Sequence, residues 1–247
     1  NLADYLTRIG HGAAPRADVG TLAALHRAHV AAIPFENLDI QLGRAISLDP
    51  EALQAKMVRQ RRGGYCFEQN SLFAMALKEI GFAVETCEAR VRQQAGGVVL
   101  PRTHMVLRVA AGGRQWLADV GFGGDGLVEP IGLDGSVTDQ LGTSYRVAVE
   151  RQLAVLQRRV AGEWEDLYVA LPDAVYPADF EVGNWFTSTY PRSPFVLNLT
   201  VQRIVGGSRH ILRNLTYTVT RDDRSETREI GFAELVPLLR DTFAIDV

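Results

Sequence analysis

Cysteine is scarce in this chain of 247 residues, which contains only Cys66 and Cys87. Two cysteines fit a reducing cytosol better than a disulfide scaffold. The chain also lacks an apolar run of about 18 residues, which excludes a membrane-spanning helix. Its first residues lack the basic-then-apolar pattern of a secretory signal. We therefore expect a cytoplasmic protein.

An excess of charge of one sign is also missing. The net charge is −3 and the isoelectric point is near 6.0, so there is no basic surface that would attract nucleic acid or an anionic membrane. A hydrophobic content of 47% with 22% charged residues is ordinary for a globular protein. These properties predict no nucleic-acid partner and no membrane partner, and they leave the oligomeric state open.

The stretch RRGGYCFEQN at residues 61–70 predicts a nucleophile at the start of a helix. Gly63 and Gly64 permit a tight turn before Cys66, and Gly81 can end the helix. Apolar residues recur every three or four positions in between, at Leu72, Phe73, Ala76, Leu77 and Ile80. The first turn of a helix favours an anion and makes a thiol more reactive. The alternative for an isolated cysteine is a buried structural residue.

Two further residues that could complete a catalytic triad fall on a predicted hairpin. His104 opens the alternating apolar run 105–109, the segment AAGG at 110–113 is typical of a turn, and the run 114–120 carries Asp119. The pattern therefore predicts two antiparallel strands with a histidine and an aspartate near one end.

Two registers of this hairpin are possible. A four-residue loop places His104 opposite Asp119, whereas a two-residue turn at 112–113 places His104 opposite Gly121, diagonal to Asp119. Both registers leave the two side chains on one face, because side chains alternate with period two. Asp119 can then orient the imidazole while the other ring nitrogen meets Cys66.

These stretches, with two others, resemble the arylamine N-acetyltransferase family. The matching segments are IPFENLD at 33–39, RRGGYCFEQN at 61–70, PRTHM at 101–105, WLADVGFGG at 116–124 and NWFTST at 184–189. They lie in order over essentially the whole chain. The resemblance implies acetyl transfer from acetyl-CoA to aromatic amines and hydrazines through Cys66. It implies acetyl-CoA as a co-substrate and no permanently bound cofactor.

The expected fold is α+β, around a cysteine-protease-like Cys-His-Asp core. Residues 1–83 are expected to form an N-terminal helical bundle that carries the nucleophile. The bundle includes a helix over 52–60, for which the segment 49–51 is a good start with Pro50 at the first helical position. From residue 84 the period changes to two, which predicts a central antiparallel β-barrel over 84–183 that carries the histidine and the aspartate. Residues 184–247 form the expected C-terminal α/β lid, with hairpins around 206–208 and 221–223 and a closing helix over 232–243.

The resemblance also implies roles around the triad. His104 takes the proton of Cys66, and Asp119 holds the imidazole. An ion pair between Glu36 and Arg62 supports the site, the alternative being a surface pair of little energetic value. Candidate walls for the acceptor amine, each of which could instead be plain core packing, are Phe35, Phe67, Val91, Phe122 and Phe195.

The glycine-rich segment GFGGDG at 121–126 satisfies the G-x-G-x-x-G pattern, but the residues after it do not form a helix, which argues against dinucleotide binding. We expect the glycines Gly121 and Gly123 to let a loop lie flat beside the site, where backbone N–H groups could meet a thioester or a pantetheine arm. Candidate oxyanion donors are N–H groups near Cys66 and Thr103.

The remaining histidines carry no predicted metal site. His26 and His29 share a helix face at i and i+3, but no carboxylate or cysteine nearby completes a ligand set, so packing or surface roles are favoured. His210 follows a glycine turn and is expected at the surface without a partner.

Other functions remain open from the residues alone. A thiol hydrolase would use the same Cys-His-Asp order, an amide synthase of the same family would need a large acyl pocket, and a non-catalytic binding protein would not need the triad. The acceptor distinguishes them, since only the acetyltransferase should move acetyl from CoA to an arylamine.

Overall fold

The computed structural model describes residues 1–221 and 224–246. Its N-terminal part is helical, an eight-stranded antiparallel sheet follows, and a five-stranded sheet closes the chain. The predicted α+β class with helices before a central barrel is confirmed. Within the described residues, every helix is too short or too polar to cross a membrane.

The N-terminal helices begin and end at sequence signals for capping. Asp18 accepts a hydrogen bond from the backbone N–H of Thr21, and Pro50 occupies the first turn of its helix as predicted. The helices are α1 (Leu2–Arg8), α2 (Val19–Ala32), α3 (Leu38–Gln41), α4 (Pro50–Leu53) and α5 (Cys66–Ile80).

The regular helix predicted over 52–60 is wrong in its second half. Residues Gln54–Arg59 form a π-helical segment that continues α4. The backbone N–H of Gln60 donates to the carbonyl of Ala55 at 2.9 Å. A hydrogen bond that spans five residues is the pattern of a π-helix. Composition does not distinguish this spacing from that of an α-helix.

Helix α5 has the predicted bounds. It starts at Cys66 and ends before Gly81, whose φ of 104° is left-handed and suits glycine. Phe73 and Leu77 on its apolar face are fully buried against the outer face of the barrel, where they meet Leu107 and Val109. This packing fixes the position of the helix start relative to the barrel.

The barrel sheet has the strand order β5-β4-β3-β2-β9-β8-β7-β6, and β5 packs against β7, so the barrel is nearly closed. The strands are β2 (Ala83–Val91), β3 (His104–Ala111), β4 (Arg114–Ala118), β5 (Ile131–Gly132), β6 (Thr138–Gln140), β7 (Thr143–Glu150), β8 (Leu153–Val160) and β9 (Glu163–Ala170).

The hairpin between β3 and β4 has the two-residue turn. Ala111 pairs with Arg114, and the glycines at 112–113 have φ values of 58° and 73°, as a tight hairpin turn requires. The four-residue loop is therefore wrong. Strand β4 ends at Ala118 rather than at residue 120, because side chains instead of a neighbouring strand bind the next two backbone N–H groups.

The second sheet has the order β1-β10-β11-β12-β13, and its first strand comes from the N-terminal region, where Phe35 pairs with Gln202. Its strands are β1 (Phe35–Glu36), β10 (Thr200–Val205), β11 (Ser208–Arg213), β12 (Thr216–Arg221) and β13 (Arg224–Glu229). The hairpins predicted around 206–208 and 221–223 are present, although 222 and 223 themselves lie outside the described residues.

Three helices complete the fold: α6 (Pro177–Thr189), α7 (Pro194–Leu197) and α8 (Phe232–Asp241). Helix α6 runs through positions 183 and 184, where the sequence suggested the start of a lid. Helix α8 is the predicted closing helix and ends two residues earlier than expected.

Strand β3 separates two of the hydrophobic cores. Leu107 and Val109 point to the helices, whereas Val106 belongs to the barrel interior with Tyr168. His104, which begins β3, lies on the same face as Val106 because side chains alternate along a strand. The start of α5 and the interior of the barrel therefore meet at His104.

Candidate active site

Cys66 is the first residue of α5 and is only 3% exposed. Its Sγ lies 3.7 Å from the carbonyl oxygen of Thr103, at the entry to β3. The N–H of the preceding residue, Tyr65, donates to the Glu68 carboxylate at 3.0 Å, which fixes the first turn. The thiol thus lies at the positive end of a helix. It is also close to Thr103, the residue that precedes His104.

His104 and Asp119 form a buried ion pair. Nε2 of His104 lies 2.7 Å from Oδ2 of Asp119, and both side chains are almost wholly buried. Burial opposes charge on the imidazole, but the negative charge of Asp119 and hydrogen bonds to Asp119 and Cys66 raise the pKa of His104. Since Asp119 occupies Nε2, Nδ1 is the nitrogen left for the thiol.

The carboxylate of Asp119 is held from a second side. Its Oδ1 accepts hydrogen bonds from Nδ2 of Asn70 and from the N–H of Gly121, both at 2.9 Å. Although burial acts in the opposite direction, His104 and these donors lower the pKa of Asp119. Asn70 lies on α5 one turn after Cys66, so one helix positions both the thiol and the residue that orients Asp119.

Residues 119–128, which we call the 119–128 loop, connect β4 to the rest of the barrel and run beside the site. No helix begins there, in agreement with the rejection of dinucleotide binding. Several of its N–H groups already have partners: that of Val120 donates to Asn70, that of Gly124 to Gln202, and that of Gly126 to the carbonyl of Gly123. These three N–H groups are therefore bound within the protein.

Two glycines allow backbone segments to approach Cys66. A Cβ on Gly121 would lie 2.8 Å from Cα of Cys66 and 2.8 Å from Nδ2 of Asn70. A Cβ on Gly63 would lie 2.0 Å from the carbonyl oxygen of Pro34. Side-chained residues at either position would displace backbone, so Gly121 permits close packing against Cys66 and Gly63 permits close packing against Pro34.

A family model described as N-acetyltransferase matches residues 18–247 of this chain. An arylamine N-acetyltransferase of Mycolicibacterium smegmatis is 42% identical over all of this chain and 92% of its own length. The chain belongs to the arylamine N-acetyltransferase family. It is therefore an acyltransferase.

Solved structures of this family superpose closely. The arylamine N-acetyltransferase of Salmonella typhimurium gives a TM-score of 0.95 at 35% identity, covering 99% of this chain and 90% of that one. The Mycobacterium marinum enzyme in complex with CoA gives 0.95 at 36% identity, covering 99% and 93%. These matches extend over helices, barrel and second sheet.

The residues named from the resemblance as acceptor walls do not all lie together. Phe122 packs edge-on against His104 with ring centroids 5.3 Å apart, and Val91 pairs across the sheet with Tyr168, whose ring is 4.9 Å from His104. The rings of Phe35 and Phe195 pack against one another, with their centroids 5.9 Å apart. Phe122 therefore lies beside His104, Val91 lies beside Tyr168, and Phe35 and Phe195 form a separate aromatic pair.

Phe67 has a different environment. It is 1% exposed and packs against Tyr65 and Phe180, with centroids 5.6 Å and 6.2 Å away. A Cβ on Gly183 would lie 2.9 Å from its ring. Phe67 therefore lies in the core beside α6, although it directly follows Cys66.

The Glu36–Arg62 pair is buried and belongs to a larger network. Nε and Nη2 of Arg62 donate to Oε1 of Glu36 at 3.0 Å and 2.8 Å, and Glu36 is fully buried. Lys56 lies 2.7 Å from both Asp39 and Glu68. Since Glu68 accepts from the residue before Cys66, these charges connect to the start of α5.

Packing was one of the two roles favoured for His26 and His29, and both are fully buried, although their hydrogen-bond partners were not predicted. Nδ1 of His26 lies 2.9 Å from the carbonyl of Val128 and Nε2 accepts from the N–H of Asp119. His29 bonds Tyr5 at 2.8 Å and Gln69 at 2.6 Å. All four ring nitrogens are engaged by protein groups rather than placed for a metal.

The expectation for His210 is wrong. It is partly buried and lies 2.6 Å from the hydroxyl of Tyr217 on β12. Pairing between β11 and β12 brings the two residues together, although they are seven positions apart in the chain. Helical spacing could have indicated the burial of His26 and His29, whereas no local signal indicated the partner of His210.

Proposed function

We propose that this enzyme transfers an acetyl group from acetyl-CoA to the nitrogen of arylamines or arylhydrazines, with Cys66 carrying the acetyl group between two half-reactions. The observation that carries the proposal is the buried His104–Asp119 pair, 2.7 Å between Nε2 and Oδ2, beside the start of α5, where Sγ of Cys66 lies 3.7 Å from the carbonyl oxygen of Thr103, the residue before His104. Acetyl-CoA acts as a co-substrate, and no permanently bound cofactor is required.

Before reaction, Cys66 and His104 form a thiolate–imidazolium pair. The buried carboxylate of Asp119 favours the charged imidazole, and the raised pKa of His104 keeps its proton at neutral pH. The thiolate gains further support from the N-terminus of α5.

In the first half-reaction, the Cys66 thiolate attacks the carbonyl carbon of acetyl-CoA. A carbon–sulfur bond forms and the carbonyl electron pair moves to oxygen. When the carbonyl re-forms, the bond to the CoA sulfur breaks, and CoA leaves as a thiol with the proton of His104. The products are acetyl-Cys66 and neutral His104, which still donates from Nε2 to Asp119.

In the second half-reaction, the amine nitrogen attacks the carbonyl carbon of acetyl-Cys66. Neutral His104 accepts the proton that the nitrogen loses as the new bond forms. The carbon–sulfur bond then breaks, which regenerates the thiolate–imidazolium pair and releases the acetylated amine. Asp119 stays ionised throughout and keeps the ring oriented.

Backbone N–H groups near Cys66 and Thr103 are the proposed donors to the tetrahedral oxyanion, because both residues lie at the thiol. Gly121 and Gly123 let the 119–128 loop pass close to the reacting carbonyl. Phe35, Val91, Phe122 and Phe195 are the proposed walls for the acceptor, and Phe67 acts through the packing of α5. Glu36 and Arg62 support the site.

Intact-mass analysis after incubation with acetyl-CoA alone tests the proposal. We expect the protein to gain one acetyl group at Cys66, identified by peptide mapping, and to lose it when an aromatic amine is added. Initial rates with both substrates varied should give parallel double-reciprocal lines. Acetyl on Cys87, or intersecting lines, would contradict the covalent route.

The same experiment separates the other functions. A thiol hydrolase would release CoA and acetate without an amine, and an amide synthase would accept a large acyl chain in preference to acetyl. The variant Cys66→Ser is the control, since it keeps the size of the side chain but replaces the thiolate.

A further inference from the structure

His26 bonds both ends of the 119–128 loop. Its Nε2 accepts a hydrogen bond from the backbone N–H of Asp119 at 3.1 Å, and its Nδ1–H donates to the carbonyl of Val128 at 2.9 Å. Strand β4 ends one residue before Asp119, so this N–H has left the barrel ladder. A side chain from α2 replaces the missing strand partner.

These bonds require one tautomer of His26. A backbone N–H can only donate and a carbonyl can only accept, so Nε2 carries no proton and Nδ1 carries one. The ring is fully buried and packs edge-on against Phe73, 5.7 Å away. Burial lowers the pKa of His26 to about 4 against the opposing effects of Val128, Asp119 and Glu129, which keeps the ring neutral.

The segment between the two bonds contacts the reacting groups. Gly121 packs on Cα of Cys66, and Phe122 packs on the ring of His104. The N–H of Gly121 donates to the Asp119 carboxylate. A shift of the Asp119 backbone would therefore move the carboxylate relative to His104 and also move the loop against Cys66.

We propose that His26 is a positioning residue that holds the backbone of Asp119, and with it the carboxylate, in line with Nε2 of His104. It touches neither substrate nor the reacting atoms. The effect of His26 on catalysis rests on the proposed function. Its effect on the position of the Asp119 backbone does not depend on that function. The hydrogen bond that Nε2 accepts holds the backbone N–H of Asp119, and the bond that Nδ1 donates to Val128 fixes the orientation of the ring.

Two amide substitutions separate the two bonds. In His26→Gln the amide reaches about as far as Nε2 and its oxygen can accept from Asp119, whereas in His26→Asn it reaches only about as far as Nδ1 and can donate to Val128. We expect iodoacetamide to modify Cys66 at pH 6 at least about tenfold more slowly in His26→Asn than in wild type, equivalent to one pKa unit of lost support for the imidazolium. In His26→Gln we expect the rate of Cys66 modification to fall by no more than about threefold, which corresponds to a smaller loss of support for the imidazolium of His104.

Amide hydrogen exchange supplies a readout that does not depend on catalysis. The N–H of Asp119 should exchange faster in His26→Asn than in wild type and stay protected in His26→Gln. The matched control is His29→Asn, which removes a second buried imidazole from the same helix without touching the 119–128 loop. It should lower the melting temperature while leaving the exchange of the Asp119 N–H unchanged.

The outcomes distinguish this inference from the proposed function. Faster exchange at Asp119 in His26→Asn alone supports the positioning role even if acetyl-CoA never acetylates Cys66. If His26→Asn folds and leaves both the exchange of Asp119 and the alkylation of Cys66 at wild-type rates, the inference is wrong. Equal changes in the Asn and Gln variants would also overturn it, because the acceptor at Nε2 would then have no special part.

Discussion

Gly121 lies directly against the backbone of Cys66: a Cβ at position 121 would stand 2.8 Å from Cα of Cys66 and 3.0 Å from its carbonyl oxygen. Both contacts are with backbone of the first helical residue, which cannot rotate away as a flexible side chain could. The separation between the 119–128 loop and α5 therefore depends on the absence of a side chain at this glycine.

Gly121→Ala should consequently disable the enzyme. Overpacking of this kind costs about 1–3 kcal/mol of stability, and a displacement of about 1 Å at the reacting groups can lower the rate about 100-fold. Thermal unfolding and turnover measured together check this. Gly12→Ala is the control, because a Cβ there meets nothing within 4 Å. Normal turnover in Gly121→Ala would show that the loop is free to move.

Asp119→Asn should leave the chain folded but catalytically impaired. An amide can hold the imidazole in the wrong tautomer, and comparable triads lose on the order of 10⁴ in turnover. Loss of the buried charge can also cost about 3–5 kcal/mol, because His104 would remain without its partner. Turnover therefore has to be compared with the melting temperature. A folded variant with near-native turnover would remove Asp119 from the proposed triad.

Arg62→Met should destabilise the protein strongly. It leaves the fully buried Glu36 without its cation, and breaking such a pair costs about 3–5 kcal/mol. The matched control is Arg44→Met, since Arg44 is 64% exposed and contacts Asp39 of the same network at 3.4 Å. An exposed pair contributes about 0–1 kcal/mol. Urea unfolding of both variants measures the difference, and similar losses would mean that burial of Glu36 has no energetic consequence.

The free energy of unfolding should fall steeply in mild acid. Burial lowers the pKa of His26 to about 4 and that of His29 to about 3, whereas an unfolded histidine titrates near 6.5. A lowered folded pKa stabilises the fold above the unfolded pKa, and this stability is lost as pH falls towards the folded pKa. Two such groups give a slope of up to about 2.7 kcal/mol per pH unit between roughly pH 6 and 4.

Urea unfolding at stepped pH checks this slope, with His29→Gln as the test variant. Removing one titrating ring should reduce the slope by about half, since one fewer proton is taken up on unfolding. The protein with both histidines and the variant must be compared over the same pH steps. An unchanged slope would show that His29 is not held neutral in the folded state.

Local signals in the sequence were sufficient for several elements of the site. The spacing of apolar residues and the glycines around Cys66 predicted a helix from Cys66 to Gly81, and the structure has those bounds. Alternation predicted the hairpin that carries His104. Such features depend on residues within one or two turns of one another, so the chain itself contains the information.

Only the tertiary structure decided the rest. The sequence allowed two registers of the β3–β4 hairpin, and the turn of two glycines with positive φ selects one of them. The pairing of β1 with β10 joins Phe35 to Gln202, and the bond from His26 to Asp119 spans 93 positions. Neither contact leaves a local pattern, because each depends on how distant segments pack once their apolar faces are buried. The sequence by itself determined the helix that begins at Cys66, and packing determined which buried side chains hold Asp119 in place.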